Sequence, residues 1–302
     1  MPIVTGNKHS AKIFTDILRA SPLPRLETEI LISFLLGKSR EYLMAHPETK
    51  IPFNLYRKFE ALETKRLKNW PIAYLTGHKE FYGLDFKVSP AVLTPRPETE
   101  MIVEEIVSLI GPDQYRYDKE PCIIDIGTGS GAIIIALASE IRRLFPARFH
   151  KIKFAAVDIS AAALKIAAQN ARQHKLAGKI KFYRGNLLRP LKLRALEERP
   201  LIIVANLPYL TPVQIKRSPS ISYEPKLALD GGIDGLKYYR RLLRQLDQAP
   251  FTDSFLNLFC EIDPSQATRL KFMVSAHWTD ARYLIKKDLA GQRRLARIVK
   301  GY

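Results

Sequence analysis

The pattern of apolar and polar residues changes character near Pro71. Before it, residues 25–45 carry apolar side chains at a spacing that places them on one face of a helix. A second helix is predicted from Phe53 to Asn69, and Pro71 stops it because proline has no N–H to continue the helical ladder. Residues 1–75 are therefore expected to form a small all-α domain.

A short segment of strict alternation follows. From Phe81 to Val88, apolar and polar residues alternate around Gly83, which is typical of a β-hairpin. Prolines at positions 90, 95 and 97 then mark an ordered, non-helical connection. We assign residues 76–95 to this hairpin and linker.

Beyond the linker, strands and helices alternate over residues 96–302. Predicted strands are Cys122–Ile126, Ile152–Asp158, Ile180–Arg184, Leu201–Ala205 and Phe255–Glu261. Predicted helices are Glu98–Ile110, Gly131–Leu144, Ala161–His174 and Leu236–Leu246. Such alternation predicts an α/β fold, a doubly wound Rossmann-like sheet covered by helices on both faces. Two last apolar runs, Tyr283–Asp288 and Arg294–Val299, predict an antiparallel C-terminal hairpin.

A glycine-rich turn joins the first predicted strand of this sheet to a helix. Its glycines, at positions 127, 129 and 131, let the backbone turn tightly and approach a ligand. Asp158 ends the next strand, where a carboxylate can accept both hydroxyls of a ribose. The alternative is that Asp158 only caps the following helix. The expected cofactor-binding residues at these two places are Asp125, Ile126, Gly127, Thr128, Gly129 and Asp158.

The next strand is followed by Gly185-Asn186-Leu187-Leu188, at the place where an adenine ring would lie. Asn186 could bond the edge of the ring and Leu187 could pack on its face. An ordinary turn is the alternative. The glycine turn alone also suits NAD or FAD. Its spacing is not the Gly-x-Gly-x-x-Gly that cradles the phosphates of a dinucleotide, and this difference argues against those cofactors.

The tetrapeptide Asn206-Leu207-Pro208-Tyr209 ends the strand Leu201–Ala205. The Asn206 side-chain oxygen and the Leu207 carbonyl can accept the two N–H groups of a planar nitrogen, and Tyr209 can stack on it. Such positioning and pre-oriented dipoles would supply most of the catalysis. An ordinary Asn-x-Pro turn is the alternative. With the glycine turn, the tetrapeptide favours S-adenosylmethionine as cofactor and methyl transfer to that nitrogen, with Asn206, Leu207, Pro208 and Tyr209 as the catalytic residues.

At this point the chain resembles the glutamine N5-methyltransferases that modify peptide chain release factors. The resemblance covers nearly the whole chain. It rests on segments 71–77, 80–83, 94–100, 125–132, 206–209, 223–236 and 288–291. It implies a helical N-terminal domain that engages the release factor, a C-terminal cofactor domain, and a substrate glutamine bound by Asn206, Pro208 and Tyr209.

The resemblance also leads us to expect Arg96, Glu98 and Glu224 at the substrate site, and it predicts that Arg96, Glu98 and Glu100 shape the acceptor pocket or the domain junction. Glu98 and Glu100 could instead simply favour the positive N-terminal end of the next helix.

Three positions depart from the family pattern. Leu207 replaces the first proline of the usual Asn-Pro-Pro-Tyr, which keeps the carbonyl but loses backbone rigidity. Asn186 replaces a more usual aspartate. Asp263 replaces the glycine of a Glu-x-Gly, and the sequence offers no functional account of that change.

The net charge of +18 raises the question of a nucleic-acid partner. Basic clusters lie within residues 142–153, 179–194 and 293–300, and they predict either weak contact with RNA or the ribosome or merely a solvated basic surface. The chain has no run of about 20 apolar residues and no apolar signal core, so we expect a cytoplasmic protein that does not enter a membrane. We further expect a monomer and no metal site, because the histidines are isolated from one another in sequence.

Two related enzymes and one non-enzyme remain as alternatives. Ribosomal RNA adenine N6-methyltransferases usually carry Asn-Leu-Pro-Tyr, but they lack the N-terminal domain and the 94–100 segment. Ribosomal-protein glutamine methyltransferases differ from this chain after Pro95-Arg96. A non-catalytic RNA-binding module would bind RNA in a salt-sensitive way without turning over the cofactor.

Overall fold

The computed structural model describes residues 11–111, 119–191, 199–249 and 255–301. The chain divides into two compact units, one of Met1–Gly77 with Pro219–Tyr223, and one of His78–Ser218 with Glu224–Tyr302. The first ten residues, and Lys192 and Arg194 of a predicted basic cluster, lie outside the described residues. No helix in the described ranges is long and apolar enough to cross a membrane.

The first unit is mainly helical. Its helices are α1 (Phe14–Ala20), α2 (Arg25–Leu36), α3 (Arg40–Ala45), α4 (Phe53–Leu67) and α5 (Ile72–Thr76). They surround a core that includes Phe14, Leu31, Leu43 and Phe59. Two short strands, β1 (Lys12–Ile13) and β2 (Lys50–Ile51), pair antiparallel, so this part of the chain is not purely helical.

The single helix predicted over residues 25–45 is wrong. Gly37 ends α2 in the left-handed conformation with φ of 62°, and Ser39 then caps α3 by accepting from the Tyr42 N–H. A glycine of this kind is a common helix terminator because it lacks the Cβ that disfavours positive φ. The apolar residues keep a helical spacing across Gly37, so the sequence pattern alone does not show that the helix ends there.

The second unit contains a seven-stranded mixed sheet. Its strands are β5 (Cys122–Ile126), β6 (Lys153–Asp158), β7 (Ile180–Arg184), β8 (Leu201–Ala205), β9 (Leu256–Glu261), β10 (Arg282–Lys287) and β11 (Arg293–Lys300). The order is β10-β11-β9-β8-β5-β6-β7, and β11 alone runs opposite to the other six strands. The α/β class, the doubly wound sheet and the antiparallel C-terminal hairpin are thus confirmed.

Helices cover both faces of this sheet. They are α6 (Glu100–Ile110), α7 (Ala132–Leu144), α8 (Pro146–Lys151), α9 (Ala161–Gln173), α10 (Pro212–Lys216), α11 (Lys237–Asp247) and α12 (Ala267–His277). One apolar core lies on the side of α6 and α7, and a second lies on the side of α11 and α12. The sequence analysis did not predict α8, α10 or α12.

A separate hairpin of β3 (His78–Phe81) and β4 (Leu84–Lys87) turns at Tyr82 and Gly83, which both have positive φ. Its side chains Phe81 and Phe86 are fully buried in the core of the second unit. Asn170 on α9 fixes it by accepting from the Lys87 N–H and donating to the Lys87 carbonyl, at 2.9 and 3.0 Å. The hairpin is therefore part of the second unit.

Candidate functional site

A cavity of about 230 Å³ opens at the carboxyl ends of β5, β6, β7 and β8. This edge of a doubly wound sheet is the usual ligand position, because the strand order reverses there and leaves a crevice. The wall is formed by the loops that follow these strands, together with residues 91–96 and 225–228 and the face of α11 that carries Tyr238 and Arg241.

The glycine-rich loop forms one side of the cavity. Gly127, Gly129 and Gly131 have φ of 75°, 56° and 81°, backbone angles that residues other than glycine adopt only with strain. A Cβ on Gly131 would lie 2.9 Å from the side chain of Ile135, so this glycine also allows α7 to begin against the loop.

Asp125 lies behind this loop rather than in the described cavity wall. Its carboxylate accepts a hydrogen bond of 2.7 Å from the Thr128 hydroxyl, while Ile126, Gly127, Thr128 and Gly129 line the cavity. Burial raises the pKa of Asp125 to about 7. The geometry thus assigns Asp125 to shaping the loop.

Asp158 lines the cavity beside the glycines. Its two oxygens accept from the Gly129 N–H at 2.9 Å and the Ser160 N–H at 2.8 Å. Ser160 itself caps α9, so Asp158 is not the cap of that helix. Burial raises the pKa of Asp158. Each carboxylate oxygen has lone pairs beyond these bonds, so the group can also accept from a ligand.

Asn186 and Leu187 form the cavity wall after β7. Leu187 has φ of 56°, a conformation uncommon for leucine that is maintained only where the surroundings determine it. The next residue is tied down, because the Leu188 N–H donates to the Gln245 side chain on α11 at 2.8 Å. Strained, anchored backbone of this kind is frequent at ligand sites.

Asn206, Leu207 and Pro208 reach the cavity from the end of β8. The Asn206 Nδ2 donates to Glu261 Oε2 at 3.0 Å. The amide nitrogen therefore faces Glu261, and the amide oxygen Oδ1 lies on the opposite side of the group. Among the described residues, no group donates to Asn206 Oδ1 or to the Leu207 carbonyl. The site therefore offers two unused acceptors in adjacent residues.

Tyr209 does not line the described cavity. Its hydroxyl donates to Glu261 Oε1 at 3.1 Å, and its ring packs partly buried against the core beside α11. Burial raises the pKa of Tyr209 and the nearby Glu261 adds to the effect. The stacking role expected for Tyr209 stays a prediction.

Glu261, which the sequence motifs did not single out for the site, binds Asn206 and Tyr209. It ends β9, is 4% exposed, and also accepts from the Thr99 hydroxyl at 2.6 Å. Burial raises its pKa, and the bonds from Thr99 and Tyr209 oppose this. The available signal was a single charged residue at the carboxyl end of an apolar strand, the position that faces ligands in such sheets.

Two glycines of the loop after α10 press against the tetrapeptide backbone. A Cβ on Gly231 would lie 2.5 Å from the Pro208 carbonyl oxygen, and one on Gly235 would lie 2.1 Å from the Tyr209 carbonyl oxygen. The Gln266 side chain donates to that same Tyr209 oxygen at 2.7 Å. Only glycine fits these two positions without displacing the loop.

Asp263, which departs from the family pattern, also acts on this loop. It accepts from the Gln214 side chain at 3.1 Å and caps the short helical turn that carries Gln266. Gln214 in turn forms a capping box with Thr211, directly after the tetrapeptide. Asp263 thus links the capped turn that begins at Thr211, just after the tetrapeptide, to the capped turn that carries Gln266.

The predicted substrate residues divide into three positions. Arg96 lines the cavity and binds both oxygens of the buried Glu224, at 2.9 and 2.7 Å. Glu98 is exposed and lies outside the described cavity wall. Glu100 accepts from the Tyr82 N–H at 2.9 Å and so anchors the hairpin turn. The geometry places Arg96 at the site and gives Glu224 the role of holding it.

Known proteins resemble both parts of the chain. Residues 12–77 match the family model described as the PrmC N-terminal domain, and residues 118–212 match one described as a methyltransferase domain. A protein of Moorella thermoacetica named release factor glutamine methyltransferase is 41% identical over 73% of this chain and 72% of its own length. One of the same name from Coxiella burnetii is 36% identical over 94% of both chains.

Among solved structures, the hMettl16 catalytic domain in complex with an RNA hairpin has the same fold. Its TM-score is 0.55 at 17% identity, covering 80% of this chain and 81% of that one.

Proposed function

This chain belongs to the release factor glutamine methyltransferase family, and we propose that it transfers a methyl group to the side-chain amide nitrogen (N5) of a glutamine in a peptide chain release factor. The carrying observation is the pair of unused acceptors, Asn206 Oδ1 and the Leu207 carbonyl, at the cavity wall. An amide NH₂ group has two N–H donors, so it can satisfy both at once.

The cavity suits S-adenosylmethionine. The loop at Gly127 to Gly131 leaves room for close backbone approach, Asp158 has lone pairs for ribose hydroxyls, and Asn186 and Leu187 border the place for an adenine ring. When bound, this cofactor supplies an electrophilic methyl group on a sulfonium centre. Asp158 lines the cavity, and a cation bound beside it would favour the ionised form of its carboxylate.

The residues of the chain would act mainly by positioning. An amide nitrogen is a poor nucleophile because its lone pair is delocalised into the carbonyl. Asn206 and the Leu207 carbonyl would hold both N–H groups and so fix the direction of that lone pair. Acceptors fixed before reaction need no reorganisation in the transition state, which is the main source of such catalysis. Transfer would be direct, with no covalent intermediate on the enzyme.

The N-terminal helical unit is the proposed recognition domain for the release factor. Its support is the match of residues 12–77 to a domain found in this family. We also propose a cytoplasmic location, because a release factor works on the ribosome.

Weak RNA contact is proposed for the basic face of α11. Lys237, Arg241 and Arg244 are exposed there, and Tyr238 lies under Lys237 and Arg241 at 5.3 and 5.8 Å. Binding of a ribosomal RNA fragment should weaken as salt rises, and charge reversal at Lys237 and Arg244 should reduce the salt slope. Salt-independent binding, or no effect of the reversal, would contradict this contact.

One incubation tests the methylation. The protein is mixed with labelled S-adenosylmethionine, a release factor, ribosomal proteins and ribosomal RNA, with Asn206→Ala as the inactive control. Mass spectrometry should find one added methyl on a release factor glutamine. Label on adenine in the RNA would instead support the adenine N6-methyltransferase alternative. Label on a ribosomal protein would support a ribosomal-protein glutamine methyltransferase.

A further inference from the structure

Glu261 is a buried carboxylate surrounded by donors. Thr99 and Asn206 donate to Oε2 at 2.6 and 3.0 Å, and Tyr209 donates to Oε1 at 3.1 Å. In all three bonds the partner is the donor, so each partner presents a hydrogen to the Glu261 carboxyl oxygens. Glu261 itself is not part of the described cavity wall.

This arrangement decides which end of Asn206 faces the ligand. An asparagine amide has a donor end and an acceptor end of nearly the same shape. With the donor end held by Glu261, the acceptor end remains for the cavity. The reversed amide would set two oxygens against each other in a buried place, which is strongly unfavourable.

The surroundings of Glu261 act on its pKa in both directions. Burial is the largest cause and raises the pKa, the bonds from Thr99 and Tyr209 and the charge of Arg294 lower it, and the charge of Glu98 raises it further. Tyr239 donates to the backbone carbonyl of Glu261 and to the Ala205 carbonyl, which fixes the end of β9 against the end of β8. The carboxylate is therefore held in place from behind while its oxygens bind the acceptor-site residues.

We propose that Glu261 is the positioning residue of the acceptor site, and that its carboxylate makes the site selective for a group with two N–H donors by fixing Asn206. This rests on the proposed function for its chemistry. Glu261 acts through its neighbours and touches neither substrate nor cofactor.

Two substitutions separate charge from shape. Glu261→Met has a side chain of similar length but no carboxyl oxygens, so Asn206 loses its anchor. The kcat should then fall roughly a hundredfold, the effect of misplacing a reacting group by about 1 Å. Glu261→Gln keeps one oxygen for Asn206 and should retain more activity, with a loss of roughly tenfold. Cofactor affinity should stay within about threefold in both, because Asp158 and the glycine loop are unchanged.

The double variant Glu261→Met with Asn206→Ala distinguishes positioning from general support. If Glu261 acts through Asn206, the double variant should be as slow as Asn206→Ala alone. Multiplied losses, or wild-type kcat in Glu261→Met, would overturn the proposal. Asn257→Leu is the matched control, since Asn257 lies on the same strand β9, is 1% exposed and accepts from Arg297 at 2.9 Å, but lies outside the described cavity wall. It should lower the melting temperature without lowering kcat.

A readout without turnover keeps this test separate from the proposed function. Crystal structures of the wild type and Glu261→Met should show Asn206 displaced or rotated in the variant, and an unchanged Asn206 would overturn the proposal. Should Glu261→Met not fold, Glu261→Gln alone and combined with Asn206→Ala carries the same comparison. If the wild type transfers no methyl to a release factor, the proposed function fails while this structural comparison still decides the role of Glu261.

Discussion

Replacing Gly235 with alanine would insert a methyl group between two atoms that hydrogen-bond to each other. The new Cβ would lie 2.1 Å from the Tyr209 carbonyl oxygen and 2.0 Å from the Gln266 Nε2, which are 2.7 Å apart. The glutamine side chain can move aside, but the Tyr209 oxygen belongs to the backbone. The tetrapeptide that carries Asn206 must therefore shift.

The size of that shift follows from the contact distances. Ordinary van der Waals contact begins at 3.4 Å, so the Tyr209 carbonyl has to move by about 1 Å. Misplacement of that size costs roughly a hundredfold in rate, or about 2.7 kcal/mol of transition-state stabilisation. Alanine at a positive φ costs a further 1–2 kcal/mol or so of folding stability.

Gly291→Ala is the matched control. Gly291 has φ of 77°, close to the 71° of Gly235, but a Cβ there would meet nothing within 4 Å. In a thermal melt, Gly291→Ala should lose stability from the backbone strain alone, and Gly235→Ala should lose more because of the clash with the Tyr209 carbonyl. Only Gly235→Ala should lose kcat in a steady-state methylation assay with a release factor. Equal kcat in the two variants would refute the reasoning from contact distance.

Three further predictions concern the cofactor loop and the tetrapeptide. Asp158→Ala should weaken S-adenosylmethionine binding by roughly 1–3 kcal/mol, because ribose hydroxyls lose their acceptor; calorimetric titration with unchanged affinity would remove that role. Burial raises the pKa of Asp125 to about 7, so the folded state retains a proton that the unfolded state loses near pH 4. The free energy of unfolding should therefore fall as pH rises from about 4 to 7, and Asp125→Asn should flatten this fall in urea unfolding at several pH values. Leu207→Pro should retain turnover because the carbonyl stays, and a large loss of kcat in the methylation assay would show that more than the carbonyl matters.

Much of the sheet could be predicted because its strands are short, continuous apolar runs. Cys122–Ile126 and Leu201–Ala205 were predicted with the bounds that the structure shows. The helix α12 escaped prediction because its buried positions, Ala267, Leu270 and Val274, are few and small, while Phe272 on the same helix is 71% exposed. Periodicity is informative only where the core takes most of the apolar residues.

The ligand-facing residues were easier to find than the residues that hold them. Local motifs marked Asn206 and Asp158, since each directly follows or ends an apolar strand. The roles of Thr99 and Glu261 depend on a contact across 162 positions, and no local pattern encodes such a pair. The same holds for Glu224, whose binding of Arg96 joins residues 128 positions apart.

The leucine in the tetrapeptide has a consequence for spectroscopy. A chain with proline at position 207 has no amide proton there, whereas Leu207 has one, in a residue that is only 4% exposed. A buried amide of this kind exchanges with solvent deuterium only when its segment opens. The exchange rate of this single labelled leucine amide therefore measures how often the segment that carries the tetrapeptide opens. The rate can be measured in the free protein and again with each ligand present.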